Sequence, residues 1–151
     1  MNDLFDRPVR LVIHALAAHL PIVRAAAGKL CEELGFDSQQ VGNIVLSVDE
    51  ALANVIKHVY GKDSSRNIEI ELLPRHCDGG RELCIRVRDW GRFTDPAAIR
   101  SRRLEDVRPG GLGVHIMHEC MDSVVYTQAE GGGTLLTMIK RLPALGQESE
   151  Q

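Results

Sequence analysis

The stretch Leu46-Ser-Val-Asp-Glu50-Ala-Leu-Ala-Asn54-Val-Ile-Lys-His58-Val-Tyr-Gly61 decides how this chain is read. It belongs to a predicted helix that starts at Asp37, where Gln40 three residues on completes a capping-box pattern. The helix runs to about Tyr60, and Gly61 ends it. A turn of about 100° per residue gathers Val41, Ile44, Val45, Val48, Leu52, Val55 and Ile56 into one apolar arc, which must pack on a sheet. Nearly opposite, Ser47, Glu50, Asn54 and His58 follow at spacings of three, four and four, so they stack along one line. Taken alone, such a line is what the solvated face of a surface helix presents. Asn54 weighs against that reading, because mid-helix Asn is a weak helix former and here sits beside an acid rather than in an ion pair. A carboxylate and an amide oxygen one turn apart are hard donors that suit magnesium. Asn54 alone suffices as a ligand, which leaves Glu50 free to orient or deprotonate a nucleophile.

Around this helix the chain alternates elements. Pro8 to His14 reads as a strand, and Ile22 to Leu34 as a helix with Pro21 at its start and Gly35 at its stop. Asn67 to Leu73 and Glu82 to Arg88 alternate as strands around a hairpin turn from Pro74 to Gly80. Asp95-Pro96 opens a short helical turn, and Ser101 to Gly110 reads as a charged, mobile loop. Leu112 to Cys120 follows as helix, then Ser123 to Thr127 and Thr134 to Arg141 as strands around a Gly131–Gly133 turn. The expected fold is α+β: a two-layer sandwich with a mixed, mostly antiparallel sheet and helices on one face. Residues 1–143 form one expected domain, and 144–151 a disordered tail.

Composition narrows the function. The chain has 151 residues and a net charge of -3, which leaves no basic footprint for nucleic acid. Arg100, Arg102, Arg103 and Arg108 cluster locally and suit a small anionic ligand. No stretch approaches the roughly 20 apolar residues of a membrane span, and the N-terminus lacks a cleavage site for secretion. The four cysteines show no metal spacing and read as reduced thiols of a cytoplasmic protein. His115, His118 and Cys120 make a conceivable metal set, but the cysteine points off the histidine face.

Two clusters on loops complement the helix. Asp89-Trp-Gly91 stands at a strand end, where a tight turn can aim a carboxylate into a pocket able to accept from an exocyclic amine such as that of adenine. A simple turn would look the same. Pro109-Gly-Gly-Leu-Gly-Val114 precedes a helix, where bare backbone N–H groups favour an anion, though a hinge would look the same. Neither a P-loop nor a Rossmann fingerprint is present.

In order along the chain, Glu50-Ala-Leu-Ala-Asn54, Asp89-Trp-Gly91, Gly111-Leu-Gly113 and Gly133-Thr134 resemble the ordered nucleotide-binding elements of the Bergerat ATP fold. Within that superfamily the stretch quoted above, and Gly110-Gly-Leu-Gly-Val-His-Ile-Met-His-Glu-Cys-Met-Asp-Ser-Val-Val-Tyr126, most resemble the anti-sigma factor serine/threonine kinases. The resemblance spans almost the whole chain. It implies ATP and magnesium as cofactors, Asn54 as the magnesium ligand and Glu50 as general base. It implies that Asp89 reads the adenine amine, that Gly91 lets the base approach and that Thr134 supports both. It further implies that Gly111, Leu112 and Gly113 sit beside the phosphates, His58 at the pocket edge and Arg108 on the γ-phosphate. Arg92-Phe93-Thr94 departs from the glycines that usually follow Gly91. The implied partners are an anti-anti-sigma antagonist, a sigma factor and a second copy of the chain. The alternative is an ATP-binding regulatory module without kinase activity. No phosphoacceptor helix precedes the domain, which argues against a complete histidine kinase.

Overall fold

The computed structural model describes residues 3–92 and 109–144, with side chains from His115 onward in the second stretch. The helical turn at Asp95-Pro96, the loop from Ser101 through Arg108, Phe93 and the tail from residue 145 lie outside the described residues.

Five strands form one sheet: β1 (Val9–His14), β2 (Asn67–Cys77), β3 (Gly80–Arg88), β4 (Ser123–Gln128) and β5 (Thr134–Arg141). Their order is β1-β2-β3-β5-β4. All four pairings among the described residues are antiparallel, where a mixed, mostly antiparallel sheet was expected. β2 and β3 form a hairpin whose loop is only Asp78-Gly79, with Gly79 at φ 91°. β2 therefore runs four residues past the predicted Leu73, through Pro74. The proline is tolerated because β1 pairs only as far as Leu72. The Pro74 carbonyl, facing the side that β1 has vacated, accepts the Asp6 N–H at 2.6 Å.

The helices are α1 (Leu20–Leu34), α2 (Ser38–Asn54) and α3 (Pro109–Cys120). α1 and α3 start earlier than the sequence suggested, with proline in the first turn of each. The Asp37 side chain accepts the Gln40 N–H at 2.8 Å, and the Gln40 side chain accepts the Asp37 N–H at 3.1 Å. α2 stops being α-helical at Asn54 rather than Tyr60; a π-helical turn, Val55–Val59, takes over. Its wide bond runs from the Tyr60 N–H to the Val55 carbonyl at 2.9 Å. α2 packs against both α1 and α3.

The core lies between helices and sheet. Ile68, Ile70 and Leu72 of β2, Leu83, Ile85 and Val87 of β3, and Leu136 and Met138 of β5 meet Val23, Ile44, Val48, Leu52 and Met117, all buried. Register aligns these into rows that cross the sheet, such as Leu11–Ile70–Val87–Leu136–Tyr126. The opposite face carries Arg10, Glu69, Glu71, Arg86 and Arg88 around a groove of about 360 Å³. All four cysteines are free, and burial pushes the Cys31 thiol up to about 12. No described helix is long and apolar enough to cross a membrane.

The reciprocal cap at Asp37 closes the start of the helix on which the candidate site depends. Asp37→Ala should cost about 1 kcal/mol. Urea unfolding measures this directly, and an unchanged midpoint would refute the cap's contribution.

Candidate functional site

Strand β3 alternates, and Ile85 and Val87 turn inward. The next residue of that parity is Asp89, one step past the strand end. It is 3% exposed, a carboxylate at a position the pattern otherwise fills with aliphatic side chains. β5 lies beside β3, and its own inward series of Met138 and Leu136 continues to Thr134. The two ends meet: the Asp89 N–H donates to the Thr134 carbonyl at 3.0 Å. Asp89 Oδ1 accepts the Gly91 N–H at 3.0 Å and the Thr134 N–H at 3.3 Å. The contact from Thr134 to the Asp89 carboxylate is made by its backbone amide. No hydrogen bond among the described residues engages Asp89 Oδ2.

Two glycines make this close packing possible. A Cβ at Gly133 would stand 2.1 Å from the Asp89 carbonyl oxygen, and its φ of 84° disfavours any other residue. A Cβ at Gly91 would stand 2.1 Å from Val59 Cγ1. The crowding at Gly91 thus comes from the π turn of the chain itself. The sequence reading assigned that closeness to an approaching base.

The helix side is less wet than its polar line suggested. Ser47 is fully buried, and its hydroxyl donates to the Asn43 carbonyl at 2.9 Å. Glu50 and Asn54 are half-buried, and His58 in the π turn is exposed. Neither Glu50 nor Asn54 makes a side-chain hydrogen bond or ion pair with the described residues. Arg24 and Asp49 pair at 2.8 Å on a neighbouring face of the helices. Asn54 is the last α-helical residue before the wide turn, and π turns are frequent at functional sites.

Tyr60 ties the two halves together. It is buried and caps the π turn. Its hydroxyl donates to the Asn67 carbonyl at 2.7 Å and accepts the Trp90 N–H at 2.8 Å. Arg66 stacks on the Tyr60 ring at 4.6 Å and donates to the Trp90 carbonyl at 2.8 Å. The Trp90 side chain is 39% exposed, with the Arg88 guanidinium 4.9 Å from its ring. Sequence reasoning did not single out Tyr60 or Arg66. The available signal was the scarcity of aromatics beside a tyrosine that closes the decisive helix.

The glycine run falls inside α3, which begins at Pro109, instead of in a loop before it. Gly110 through Gly113 thus occupy the opening turns, where the first N–H groups of a helix have no intrahelical partner. α3 packs beside α2. Arg108 lies just outside the described residues. His115, weighed as a metal ligand, pairs instead with Glu119 at 3.0 Å.

The chain matches the histidine kinase-like ATPase domain over residues 13–140 and belongs to that family. The serine-protein kinase RsbW of Halalkalibacterium halodurans is 25% identical over 142 residues, covering 89% of this chain and 83% of the relative. RsbW of Bacillus pumilus is 23% identical, covering 89% and 86%. Among solved structures, the RsbU and RsbW domains of a Mycobacterium tuberculosis protein superpose with a TM-score of 0.63 at 20% identity. That match covers 91% of this chain and 34% of the other. The SiaB–SiaC complex of Pseudomonas aeruginosa gives 0.60 at 9% identity, covering 89% and 88%. Both likenesses are of fold.

Burial pushes the Asp89 carboxyl above its ordinary value of 3.8, while N–H groups of Gly91 and Thr134 and the charges of Arg88 and Arg66 pull the other way. The folded state therefore holds this proton more tightly than the unfolded chain does. The resulting stability is fully present below 3.8 and is lost as pH rises through the higher folded value. Asp89→Asn removes this titration, so the variant should gain stability relative to the parent across that window. Urea unfolding of both proteins between about pH 3.5 and 7 reads the difference. A difference that stays constant with pH would refute the assignment.

Proposed function

We propose that the chain is an ATP-dependent serine/threonine protein kinase that also acts as an anti-sigma factor. The observation that carries this reading is Asp89: a buried carboxylate with one oxygen held by two N–H groups and the other left for a donor. An exocyclic amine such as that of adenine meets this demand. Membership of the ATPase family and relatives named as serine-protein kinases support the reading.

The remaining assignments follow from position. Asn54, half-buried and without a described partner, has the hard amide oxygen that magnesium takes as one of few protein ligands. Bound there beside the phosphates, magnesium would offset their negative charge. The opening turns of α3, with Gly111, Leu112 and Gly113, offer backbone N–H groups to the phosphates. His58 stands at the pocket edge, and Arg108 is assigned to the γ-phosphate. Glu50, one turn before Asn54, accepts the proton of a substrate hydroxyl as its oxygen bonds to the γ-phosphorus. The bond between that phosphorus and the β,γ-bridging oxygen breaks, and ADP leaves.

The substrate proposed is an anti-anti-sigma protein, and the sequestered partner a sigma factor. A phosphate added to the antagonist brings about -1.5 to -2 charges, enough to break a complex built without them. A second copy of this chain completes the proposed assembly.

Transfer of labelled phosphate from ATP to a candidate antagonist tests the kinase directly. Glu50→Gln should lower the transfer rate by at least roughly a hundred-fold while leaving ATP affinity within about two-fold. Undiminished transfer would remove Glu50 as base; ATP binding without transfer in the parent would leave a regulatory module. Asn54→Ala should abolish the magnesium-dependent part of ATP binding, measured by calorimetry with and without the metal. Unchanged affinity would refute its role.

A further inference from the structure

We propose that Tyr60 and Arg66 are positioning residues that aim the Asp89 carboxylate, and so set selectivity for a base bearing an exocyclic amine. This rests on the reading of Asp89 as the amine's acceptor.

Asp89-Trp90-Gly91 lies past the last ladder residue of β3; Asp89 still bonds Thr134 of β5, and side chains hold the two peptides that follow. Two consecutive peptide groups are gripped. The Asp89–Trp90 peptide offers its N–H to the Tyr60 hydroxyl at 2.8 Å. The Trp90–Gly91 peptide offers its carbonyl to Arg66 Nη2, also at 2.8 Å. That second peptide also carries the Gly91 N–H that holds Asp89 Oδ1 at 3.0 Å. A peptide is planar, and its N–H and carbonyl point in opposite directions. Arg66 therefore aims the Gly91 N–H at the carboxylate by fixing the carbonyl on the other side. A charged donor on that carbonyl also polarises the peptide and strengthens its N–H as a donor.

Tyr60 supplies the fixed point. Its hydroxyl is anchored on the Asn67 carbonyl at 2.7 Å, at the start of β2. Its ring is the platform on which Arg66 stacks at 4.6 Å. Its own N–H closes the π turn on Val55, the residue after Asn54. One residue thus references the carboxylate to the sheet through its hydroxyl and to the helix end proposed to hold magnesium through its backbone.

The test compares ATP with inosine triphosphate, which carries an oxygen where adenine carries the amine. Calorimetry on the full chain measures both affinities for the parent, Tyr60→Phe and Arg66→Ala. Tyr60→Phe keeps the ring and removes only the hydroxyl; Arg66 is exposed, so its loss should spare the fold if the tyrosine variant does not. ATP affinity should fall about ten-fold in either variant, with inosine triphosphate affinity unchanged, so that discrimination collapses. A parallel loss for both nucleotides, or retained discrimination, would overturn the positioning role. A parent protein that does not discriminate would instead overturn the Asp89 reading, and this proposal with it.

Discussion

The pairing of β3 with β5 is the constraint on which the rest of the candidate site depends. It sets two inward-facing series side by side, and both continue one residue past the aliphatic core. At that step the aliphatic residues give way to Asp89 and Thr134. A carboxylate there would be costly without hydrogen-bond donors, and the neighbouring strand delivers one as the Thr134 N–H. Gly133 then has to be glycine, because the backbone of Asp89 occupies the place of its Cβ. Asp89 is thus a polar residue buried at the end of an apolar series, with Oδ1 satisfied by two backbone amides.

The helix side answers to a different requirement. α2 must lie between α1 and α3, so even its polar line is partly covered, and Ser47 satisfies itself on the preceding turn. The π turn then widens the helix where the chain leaves it. β-branched Val55, Ile56 and Val59 are poor at closing a tight helical turn. The wider path brings Val59 against Gly91 and carries Tyr60 to Trp90. Departure from α-geometry therefore joins the helix end to the strand end.

The elements legible in the sequence were those with local causes. The Asp37–Gln40 box, Gly35, the hairpin and the alternation of β2 and β3 each depend on residues a few positions apart. What could not be read depended on distant neighbours. Pro74 looked like a strand end, because nothing local shows that β1 begins only at Val9 and leaves Pro74 unpaired on that side. Ser47 looked wet, because its cover comes from other helices. Asp89, Gly91 and Thr134 were legible as a set only through their order along the chain. Tyr60 and Arg66 were silent, since their contacts with Trp90 span 30 and 24 residues.

The two faces of the sheet divide the polar residues by purpose. On the open face, long arginines and glutamates neutralise one another: Glu71 lies 2.9 Å from Arg10 and 3.7 Å from Arg86. On the covered face Asp89, which continues β3's inward series, has no counter-ion in contact among the described residues, and its charge is opposed by burial. Arg88 and Arg66 act on it from outside, across peptide groups, and do not form a salt bridge. Holding the carboxylate by amides, and the peptides beside it by a tyrosine and an arginine, orients Asp89 Oδ1 without a counter-ion among the described residues.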